Sequence, residues 1–352
     1  MKKLFLLSVA IGMMLTVHAQ KTEKQMATLQ HGEQTKVYYG PDALIYAYKA
    51  AADSGDVVTL SSGEFNWGDN LSKSITIIGA GFEDDEVSGI KKTMINSQLR
   101  IKHADSVNGD GETIKGGKKV DNLHLEGLYI NSDIYLESNN FPYRNLEIVK
   151  CYCWGITLGA ECYDGMIRQC VIQRPDQAKG GTIYSSNTLH NLLVTNCYFG
   201  SIYGAPTTST INVDHCLIYR GYSGYLDSYN YTNNIFIGCS IPSTASASNN
   251  ILAEGSTFGG LLGESNWNGL KNAGVWATDG EDGSYSSTKD FALKYPDRYV
   301  GTDGTEVGLH GGVYAWNKTP SIPRITACTI DTQNAADGTI KVSIKAEAQT
   351  KE

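Results

Sequence analysis

A short phrase of alternating apolar and polar residues recurs through the middle of the chain, each time around one small or apolar residue. VTNCYFG at 194–200, IRQCVI at 167–172 and VDHCLI at 213–218 share this pattern. Alignment on the central residue gives seven units, centred on Leu128, Cys151, Cys170, Cys197, Cys216, Cys239 and Ser256. The positions three before and two after each centre are small or apolar throughout, so we predict that they face inward.

The phrase is constant, whereas the distance between its copies varies. Successive centres lie 23, 19, 27, 19, 23 and 17 residues apart. Constant strands with variable connections are typical of a solenoid. Inward residues at alternate positions indicate strands, and the two residues before each centre indicate a bend. Asparagine or aspartate usually stands six positions before the centre, which predicts left-handed turns whose side chains can bond to one another on successive coils.

The two ends of the repeat have different patterns. Residues 41–55, PDALIYAYKAAADSG, predict a short amphipathic helix that covers the open N-terminal end of the solenoid. The polar, glycine-rich segment 103–119 is predicted to be a loop. Residues 321–346 predict a pair of strands that turns at Asp337-Gly338.

The first nineteen residues have the features of a secretory signal peptide. Lys2 and Lys3 precede a short apolar run, and Ala19 ends a small-residue cleavage pattern. Because that run is too short to span a bilayer and no later one is longer, we expect no membrane span. Removal of the two lysines changes the formal net charge from −8 to −10, which argues against nucleic acid as a partner. We expect a secreted, periplasmic or cell-surface protein.

Two further stretches carry a resemblance to known proteins. GDVVTLSSGEFNWGDNLSKSITIIGAG at 55–81 and the cysteine-centred coils resemble the right-handed parallel β-helix proteins of the pectin-lyase-like superfamily. VGTDGTEVGLHGG at 300–312 is similar to the closing segment of secreted β-helix proteins of Bacteroidetes. The resemblance implies a fold more than an activity, because the superfamily includes lyases, hydrolases, esterases and adhesins.

We therefore predict an all-β, right-handed parallel β-helix, or solenoid, with an N-terminal capping helix and a small C-terminal β appendage. The predicted division is a signal peptide at 1–19, an N-terminal segment at 20–36, the β-helix at 37–316 and a β-hairpin tail at 317–352. The cysteines that centre the units are expected to be buried free thiols, with a strained disulfide as the alternative. No metal site is predicted within that column.

A polar strip lies on the two positions before the centres, which we expect to face outward. At coil spacings of about 4.8 Å, Arg168 lies about 10 Å from Asp214, and Lys150 about 14 Å from His215. A lyase acting on uronic acids needs a cation or calcium to neutralise the carboxylate and a base to remove the α-proton. Lys150 and Arg168 are candidate cations, and His215 or Lys150 is the candidate base. A solvated polar face is the alternative interpretation.

Two fragments of this region resemble pectate lyase motifs. NVDHC at 212–216 is similar to that family's aspartate-histidine segment, which makes Asp214 the matching acid. QRPDQ at 173–177 is similar to its arginine-proline motif, which makes Arg174 the matching cation. Their order along the chain is reversed. Glu126 and Glu147 form the one close carboxylate pair on the outward columns, as a hydrolase would need.

Tyrosines are concentrated in the same coils. Tyr129, Tyr152 and Tyr198 occupy the position after the centre, and Tyr219 lies nearby. We expect these rings to be exposed and able to stack on sugar rings, although tyrosine also suits outward strand positions without a binding role. The acidic runs at 279–283 and 302–306 are either calcium ligands or ordinary turns.

Three functions are compatible with these features. The first is binding of a polysaccharide or cell-surface glycan through the tyrosines and Arg174. The second is a polysaccharide lyase acting on acidic glycans through Lys150, Arg168, Asp214 and His215, with calcium as a possible cofactor. The third is a structural or adhesive solenoid that contacts protein.

Overall fold

The computed structural model describes residues 25–86, 89–138, 140–177, 179–220, 229–243, 245–259, 265–330 and 342–347. The predicted signal peptide, residues 221–228 of the tyrosine-rich coils and the predicted turn at Asp337-Gly338 lie outside the described residues. The chain forms a right-handed parallel β-helix, as predicted, and each coil contributes one short strand to each of up to three long sheets. Among the described residues, no helix is long and apolar enough to cross a membrane.

Sheet 1 has eleven strands. It begins with an antiparallel pair and continues as parallel strands, one from each coil. In spatial order the strands are Gln34–Tyr39, Met26–His31, Ser54–Leu60, Ser74–Ile78, His124–Glu126, Glu147–Val149, Met166–Arg168, Leu192–Thr195, Ile211–Asp214, Asn230–Thr232 and Ser246–Ser248.

Sheet 2 follows sheet 1 within each coil and has ten parallel strands. They are Gly63–Phe65, Thr93–Ile95, Tyr129–Ile130, Tyr152–Cys153, Val171–Ile172, Tyr198–Phe199, Leu217–Tyr219, Ile235–Ile237, Ile251–Ala253 and Trp267–Leu270. Sheet 3 comes next in the coil and has six strands. They are Asn70–Leu71, Leu99–Ile101, Ile134–Leu136, Gly155–Leu158, Thr182–Ser185 and Ser201–Tyr203.

Smaller sheets complete the coils and the ends. Three short parallel strands precede sheet 1, and two follow sheet 2 in the last coils: Tyr143–Arg144, Cys162–Tyr163 and Leu189–His190, then Ser240–Ile241 and Thr257–Phe258. Segment 103–119, predicted as a loop, instead forms an antiparallel hairpin of Ala104–Val107 and Thr113–Lys118. The predicted C-terminal strand pair is confirmed as Arg324–Ile330 and Val342–Glu347.

Helix α1 (Ala43–Ala50) confirms the predicted N-terminal helix. It buries Ala43, Leu44, Ala47 and Tyr48 in the same core as the first strands of the solenoid. A second helix, α2 (Asn272–Val275), follows the last parallel strand, and a 3-10 turn spans Pro296–Arg298. The open apolar end of a solenoid would otherwise invite edge-to-edge association, and α1 covers it.

The inward columns are confirmed over the first five units. The positions three before and two after each centre are buried, as Ile148 and Cys153 are in the second unit. The predicted left-handed turns are also confirmed at Asn122, Asn145, Asp164 and Asn191, whose φ angles lie between 52° and 59°. Their side chains bond from coil to coil, for example Asn145 Nδ2 to Asn122 Oδ1 at 2.8 Å.

The seven-unit register is wrong for its last two units. Strand pairing places Asn234, and not Cys239, in the position above Cys216. The column continues through Asn250 and Asn266, each of which accepts a hydrogen bond from the backbone N–H of the coil before it. Cys239 belongs to a different bend, after sheet 2. Asparagine replaces cysteine without a change of fold because its amide makes the same coil-to-coil contact with stronger hydrogen bonds.

The described cysteines are free, as expected. Cys151, Cys153, Cys162, Cys170, Cys197, Cys216 and Cys239 are buried and form no disulfide. Within the column, the backbone N–H of Cys170 donates to Cys197 Sγ at 3.4 Å. Burial raises the pKa values of the Cys170 and Cys197 thiols far above the usual range. They act as small core residues with a weak polar ladder.

A segment that comes after the last coil covers one side of the solenoid. This cover segment (residues 271–320) packs Val275, Trp276, Phe291 and Leu309 against the outer face of sheet 2. The result is a second apolar core outside the β-helix. It explains why sheet 2 strands such as Ile235–Ile237 are buried on both faces, whereas the alternation along sheet 1 would expose one face.

Candidate functional site

The predicted polar strip lies at the bend between sheets 1 and 2. Strand pairing stacks Arg168, Thr195 and Asp214 on successive coils, as the repeat predicts. The next residue in each coil has a left-handed backbone, with φ between 48° and 53° for Lys150, Gln169, Asn196 and His215. A single left-handed residue turns the chain from one sheet to the next, and it points its side chain away from the interior.

The cover segment lies across this strip, and the strip's side chains bind its backbone. Lys150 Nζ donates to the carbonyl of Thr319 at 2.8 Å, and Gln169 Nε2 donates to that of Ala315. Asn196 donates to two carbonyls of the same segment, and His215 Nε2 lies 3.2 Å from Thr305 Oγ1. The cover segment therefore runs back along the solenoid, and it is held at one coil after another.

The expectation that the strip is exposed is wrong for Lys150, Gln169, Thr195, Asn196 and His215, which are all buried. Gly311 passes so close to His215 that a Cβ atom there would lie 2.5 Å from the imidazole Cδ2. These side chains do point away from the coil interior, as predicted. A segment from elsewhere in the chain occupies the space that solvent or substrate would need.

Arg168 and Asp214 are only partly buried, and their contacts are also internal. The Arg168 guanidinium lies 4.8 Å from the ring centre of Tyr314. Asp214 bonds His215 through one carboxylate oxygen, and through the other it accepts hydrogen bonds from Thr232 and Asn233. The structure thus brings Asp214 and His215 together, but it does not place them in an open groove with Lys150 and Arg168.

The four predicted tyrosines all lie on the outer face of sheet 2. Tyr198 and Tyr219 are 0% and 1% exposed beneath the cover segment, so their predicted exposure is wrong. Tyr152 is 7% exposed, and Tyr129 is half-buried at the edge of the covered area. The Tyr129 and Tyr152 rings stack in parallel with centres 4.7 Å apart, beside a cleft of about 510 Å³.

The cover segment packs on sheet 2 and on the bend between sheets 1 and 2, and sheet 3 forms the next side of the coil. One outward column there contains Arg100, Tyr135, Thr157, Tyr184 and Tyr203 on five successive coils. None of these five side chains is fully buried. Sequence reasoning missed this column because the repeat was aligned on the other two sheets. The signal was available in the alternation IYL at 134–136 and TIYS at 182–185.

Two tyrosines of this column, Tyr135 and Tyr184, lie on the coils before and after Thr157. Arg100 packs on the far side of Tyr135, and Tyr203 packs on the far side of Tyr184, with ring centres 5.2 Å apart. Thr157 lies between the two residues in the column, so their backbones are two strand spacings, or about 9.6 Å, apart. Carbon atoms in contact are separated by about 4 Å, so a gap of that width over Thr157 has room for one flat ring. We call this gap the sheet 3 slot.

The side chains at the floor of the sheet 3 slot are small. Its strand presents Gly155 and Thr157 outward, while Ile156 and Leu158 point into the core. A Cβ atom at Gly155 would lie 2.9 Å from Asp133 Oδ1, which shows that this carboxylate leans over the glycine at one end of the slot. A larger residue at 155 would displace it.

Asp133 and Arg174 supply polar groups at that end. Burial raises the pKa of the Asp133 carboxyl, and the charge of Arg174 opposes the shift. Arg174, which the sequence singled out, is exposed and lies 5.2 Å from the ring centre of Trp154. Within the described residues neither Asp133 nor Arg174 has a side-chain hydrogen bond or a direct ion pair. A donor and an acceptor are thus available beside two aromatic walls.

Three of the remaining acidic candidates, Glu126, Glu147 and Glu281, bond protein side chains. Glu126 and Glu147 bond the two nitrogens of His124 at 3.1 and 2.7 Å. In the run 279–283, Glu281 is paired with Lys289 at 2.7 Å. In the part of the chain that the structure describes, no group of three His, Cys, Asp or Glu side chains is placed to hold a metal ion.

Comparison with family models, with curated proteins and with solved structures finds no match to this chain.

Proposed function

We propose that this chain is a secreted or cell-surface carbohydrate-binding protein of the pectin-lyase-like superfamily, Bacteroidetes type, and that it binds a polysaccharide at the sheet 3 slot. The observation that carries the proposal is the placement of Tyr135 and Tyr184 on either side of Thr157. Aromatic side chains bind the apolar faces of sugar rings, and a pyranose ring has two such faces. Polar groups fix the orientation of a ligand in a mostly apolar site.

Asp133 and Arg174 suit the hydroxyl groups at the rim of such a ring. A hydroxyl both donates and accepts, so neighbouring hydroxyls can donate to the Asp133 carboxylate and accept from the Arg174 guanidinium. The carboxylate at the end of the slot repels a uronic acid, so the proposal favours a neutral glycan. The column continues past the slot to Tyr203, which gives a chain of sugars a surface along the solenoid axis.

The lyase alternative has less support. Of its four residues, Lys150 and His215 are buried against the cover segment, and Arg168 packs on Tyr314. A reaction there would need the cover segment to leave. Incubation with polygalacturonate and with glycosaminoglycans, with and without calcium, tests this directly. Unsaturated products absorbing in the ultraviolet would favour the lyase over the proposal.

A substitution that fills the sheet 3 slot with a larger side chain tests the binding proposal. Thr157→Tyr completes the ladder from Tyr135 to Tyr203 with a residue that suits a strand, so the chain should still fold. Calorimetric titration of neutral hexasaccharides of glucose, xylose and mannose should give binding to the wild type. With Thr157→Tyr that binding should weaken at least tenfold, which corresponds to about 1.4 kcal/mol.

Thr59→Tyr is the matched control, since Thr59 is a half-buried outward residue on sheet 1. It should leave binding unchanged. Equal glycan affinity of Thr157→Tyr and the wild type would show that the glycan does not bind at the sheet 3 slot. Absence of binding to every neutral glycan would favour the adhesive solenoid instead.

A further inference from the structure

His215 differs from the other left-handed residues of the polar strip in what it contacts. Lys150, Gln169 and Asn196 donate hydrogen bonds to backbone carbonyls of the cover segment. His215 Nε2 instead lies 3.2 Å from a side-chain hydroxyl oxygen, Thr305 Oγ1. The two residues are 90 positions apart in the chain. The fold of the cover segment over the solenoid thus brings an imidazole and a hydroxyl group together.

A carboxylate holds the second ring nitrogen of His215. Nδ1 lies 2.9 Å from Asp214 Oδ2. The other oxygen of Asp214 accepts hydrogen bonds from Thr232 and Asn233, each at 2.9 Å, so the carboxylate is itself fixed in place. Because a carboxylate only accepts, Nδ1 carries the hydrogen, and Nε2 of the neutral ring is an acceptor. That acceptor faces the Thr305 hydroxyl.

A hydroxyl, an imidazole and a carboxylate in this order can activate a nucleophile. The base must lie within hydrogen-bond distance of the hydroxyl, and a third group must hold its far nitrogen. Both conditions are met, at 3.2 Å to Thr305 and 2.9 Å to Asp214. The backbone N–H of Gly312 also donates to Thr305 Oγ1 at 2.7 Å. This donor stabilises the negative charge that develops on Oγ1 as its proton leaves.

Asp303 also contacts the Thr305 hydroxyl. Its two carboxylate oxygens lie 2.9 and 3.0 Å from Thr305 Oγ1, and its Oδ2 lies 3.7 Å from His215 Nε2. Burial would raise the pKa of the Asp303 carboxyl, but hydrogen bonds from Thr305 and the charge of His215 lower it. Asp303 is therefore ionised near neutral pH. It orients the hydroxyl, and it attracts the imidazolium that forms when Nε2 takes the proton.

The hydroxyl of this arrangement belongs to a surface residue, whereas the base is buried. Thr305 is exposed, and the His215 side chain is 1% exposed. Gly311 and Gly312 lie against the imidazole so closely that a Cβ atom on them would be 2.5 and 3.0 Å from ring atoms. A reactant therefore reaches the site from the side of Thr305. The partly exposed carboxylates of Asp214 and Asp303 repel an anion there, so an uncharged reactant is favoured.

We propose that Thr305, His215 and Asp214 form a catalytic site that hydrolyses small uncharged esters, such as acetyl esters of sugar hydroxyl groups. Thr305 Oγ1 forms a bond to the carbonyl carbon of the ester while its proton moves to His215 Nε2. The ester C–O bond then breaks, the departing alcohol oxygen takes that proton, and the acyl group stays on Thr305. Water attacks the acyl carbon and gives a proton to Nε2, and Thr305 Oγ1 leaves and recovers it. Asp214 positions the imidazole.

The test is hydrolysis of 4-nitrophenyl acetate by the whole protein, measured by release of the coloured phenolate. This ester carries no sugar, so the result does not depend on the sheet 3 slot. Thr305→Val removes the hydroxyl at nearly constant size, and His215→Gln removes the base. Each should reduce the rate at least about a hundredfold, whereas Thr305→Ser should retain activity. Thr288→Val changes another exposed threonine of the cover segment, and it is the matched control that should have no effect.

Asp214→Asn tests the positioning role, because it changes the charge without changing the size. It should lower kcat about a hundredfold and leave KM unchanged, since the ring loses the group that fixes its tautomer. A fluorophosphonate probe should label Thr305 in the wild type, as peptide mass spectrometry would show. It should not label Thr305 in His215→Gln.

Three results would overturn the proposal. The first is a wild-type rate no higher than that of Thr305→Val. The second is a rate that is lost in His215→Gln but kept in Thr305→Val, because His215 would then act without the hydroxyl. The third is absence of label on Thr305 in the wild type, which decides the question even where a variant fails to fold.

Discussion

The side-chain amide of Asn196 donates to the carbonyl oxygen of Leu309 at 2.9 Å, across 113 residues of sequence. The same amide donates to the carbonyl of Gly311 at 2.8 Å. Asn196 is fully buried and is one of the left-handed bend residues. A residue that forms the bend of a coil therefore also holds the cover segment in place.

Asn196→Gly should loosen the cover segment without straining the bend, since glycine adopts a left-handed backbone freely. The change removes the side-chain donor from the buried Gly311 carbonyl, whereas the Leu309 carbonyl keeps the backbone N–H of Trp316 as its donor. This should lower the free energy of unfolding by about 1–3 kcal/mol. Hydrogen exchange should accelerate at residues 305–312, and urea denaturation gives the stability. Asn191→Gly is the matched control, because Asn191 has the same backbone conformation but is exposed. Equal effects of both changes would contradict the role given to Asn196.

The asparagine ladder should contribute more stability than exposed asparagines of the same coil. Asn234 is buried, accepts from the backbone N–H of Cys216 at 2.8 Å and donates to the carbonyl of Val213. Asn234→Ala should therefore cost about 2–3 kcal/mol. Asn230→Ala, which removes one exposed bond to Asn212, should cost less than about 1 kcal/mol. Denaturation curves that coincide for the two variants would count against the ladder.

The thiols should be unreactive in the native protein. Burial raises the pKa of Cys162 to about 12, and it also raises the pKa values of Cys151, Cys153, Cys170 and Cys197 well above the usual range of a thiol. Since only the thiolate reacts readily, titration with a chromogenic disulfide should be slow before unfolding and should count all eight cysteines in denaturant. Rapid reaction of several thiols would contradict the buried column.

Stability should depend on pH through His124. Burial alone would lower the pKa of this imidazole, but its bonds to Glu126 and Glu147 raise it. Burial would raise the pKa of Glu126, whereas hydrogen bonds from His124 and Ser321 lower it. The imidazolium of His124 thus stabilises the fold fully below the pKa that histidine has in the unfolded state. This stabilisation is lost as the pH rises through the higher pKa of His124 in the folded state. The Glu126 contribution is present above the unfolded-state pKa of glutamate and is lost as pH falls through the folded-state value.

The difference in melting temperature between the wild type and His124→Gln should therefore be greatest between about pH 5 and 6. Thermal unfolding of both proteins from pH 3 to pH 9 measures it. A difference that stays constant over this range would show that the hydrogen bonds act without the charge.

The sequence by itself determined the coil. The alternation of apolar residues predicted that Ile148, Cys151 and Cys153 face inward, because the side chains of a strand alternate regardless of what surrounds the strand. Asn122 and Asn145 marked left-handed corners because that residue type tolerates the conformation locally. The predicted register was wrong after Cys216, because Asn234 and not Cys239 occupies the next position of the cysteine column.

Only the tertiary structure decided which outward residues meet solvent. Lys150 and His215 face away from their coils, as predicted, yet residues 305 and 319 of the cover segment occupy that space. Likewise, Tyr135 and Tyr184 are 49 residues apart in the chain, and pairing through Thr157 places them on two sides of one gap. A repeat fixes a side chain's direction relative to its own coil, whereas exposure and site formation depend on what distant segments place beside it.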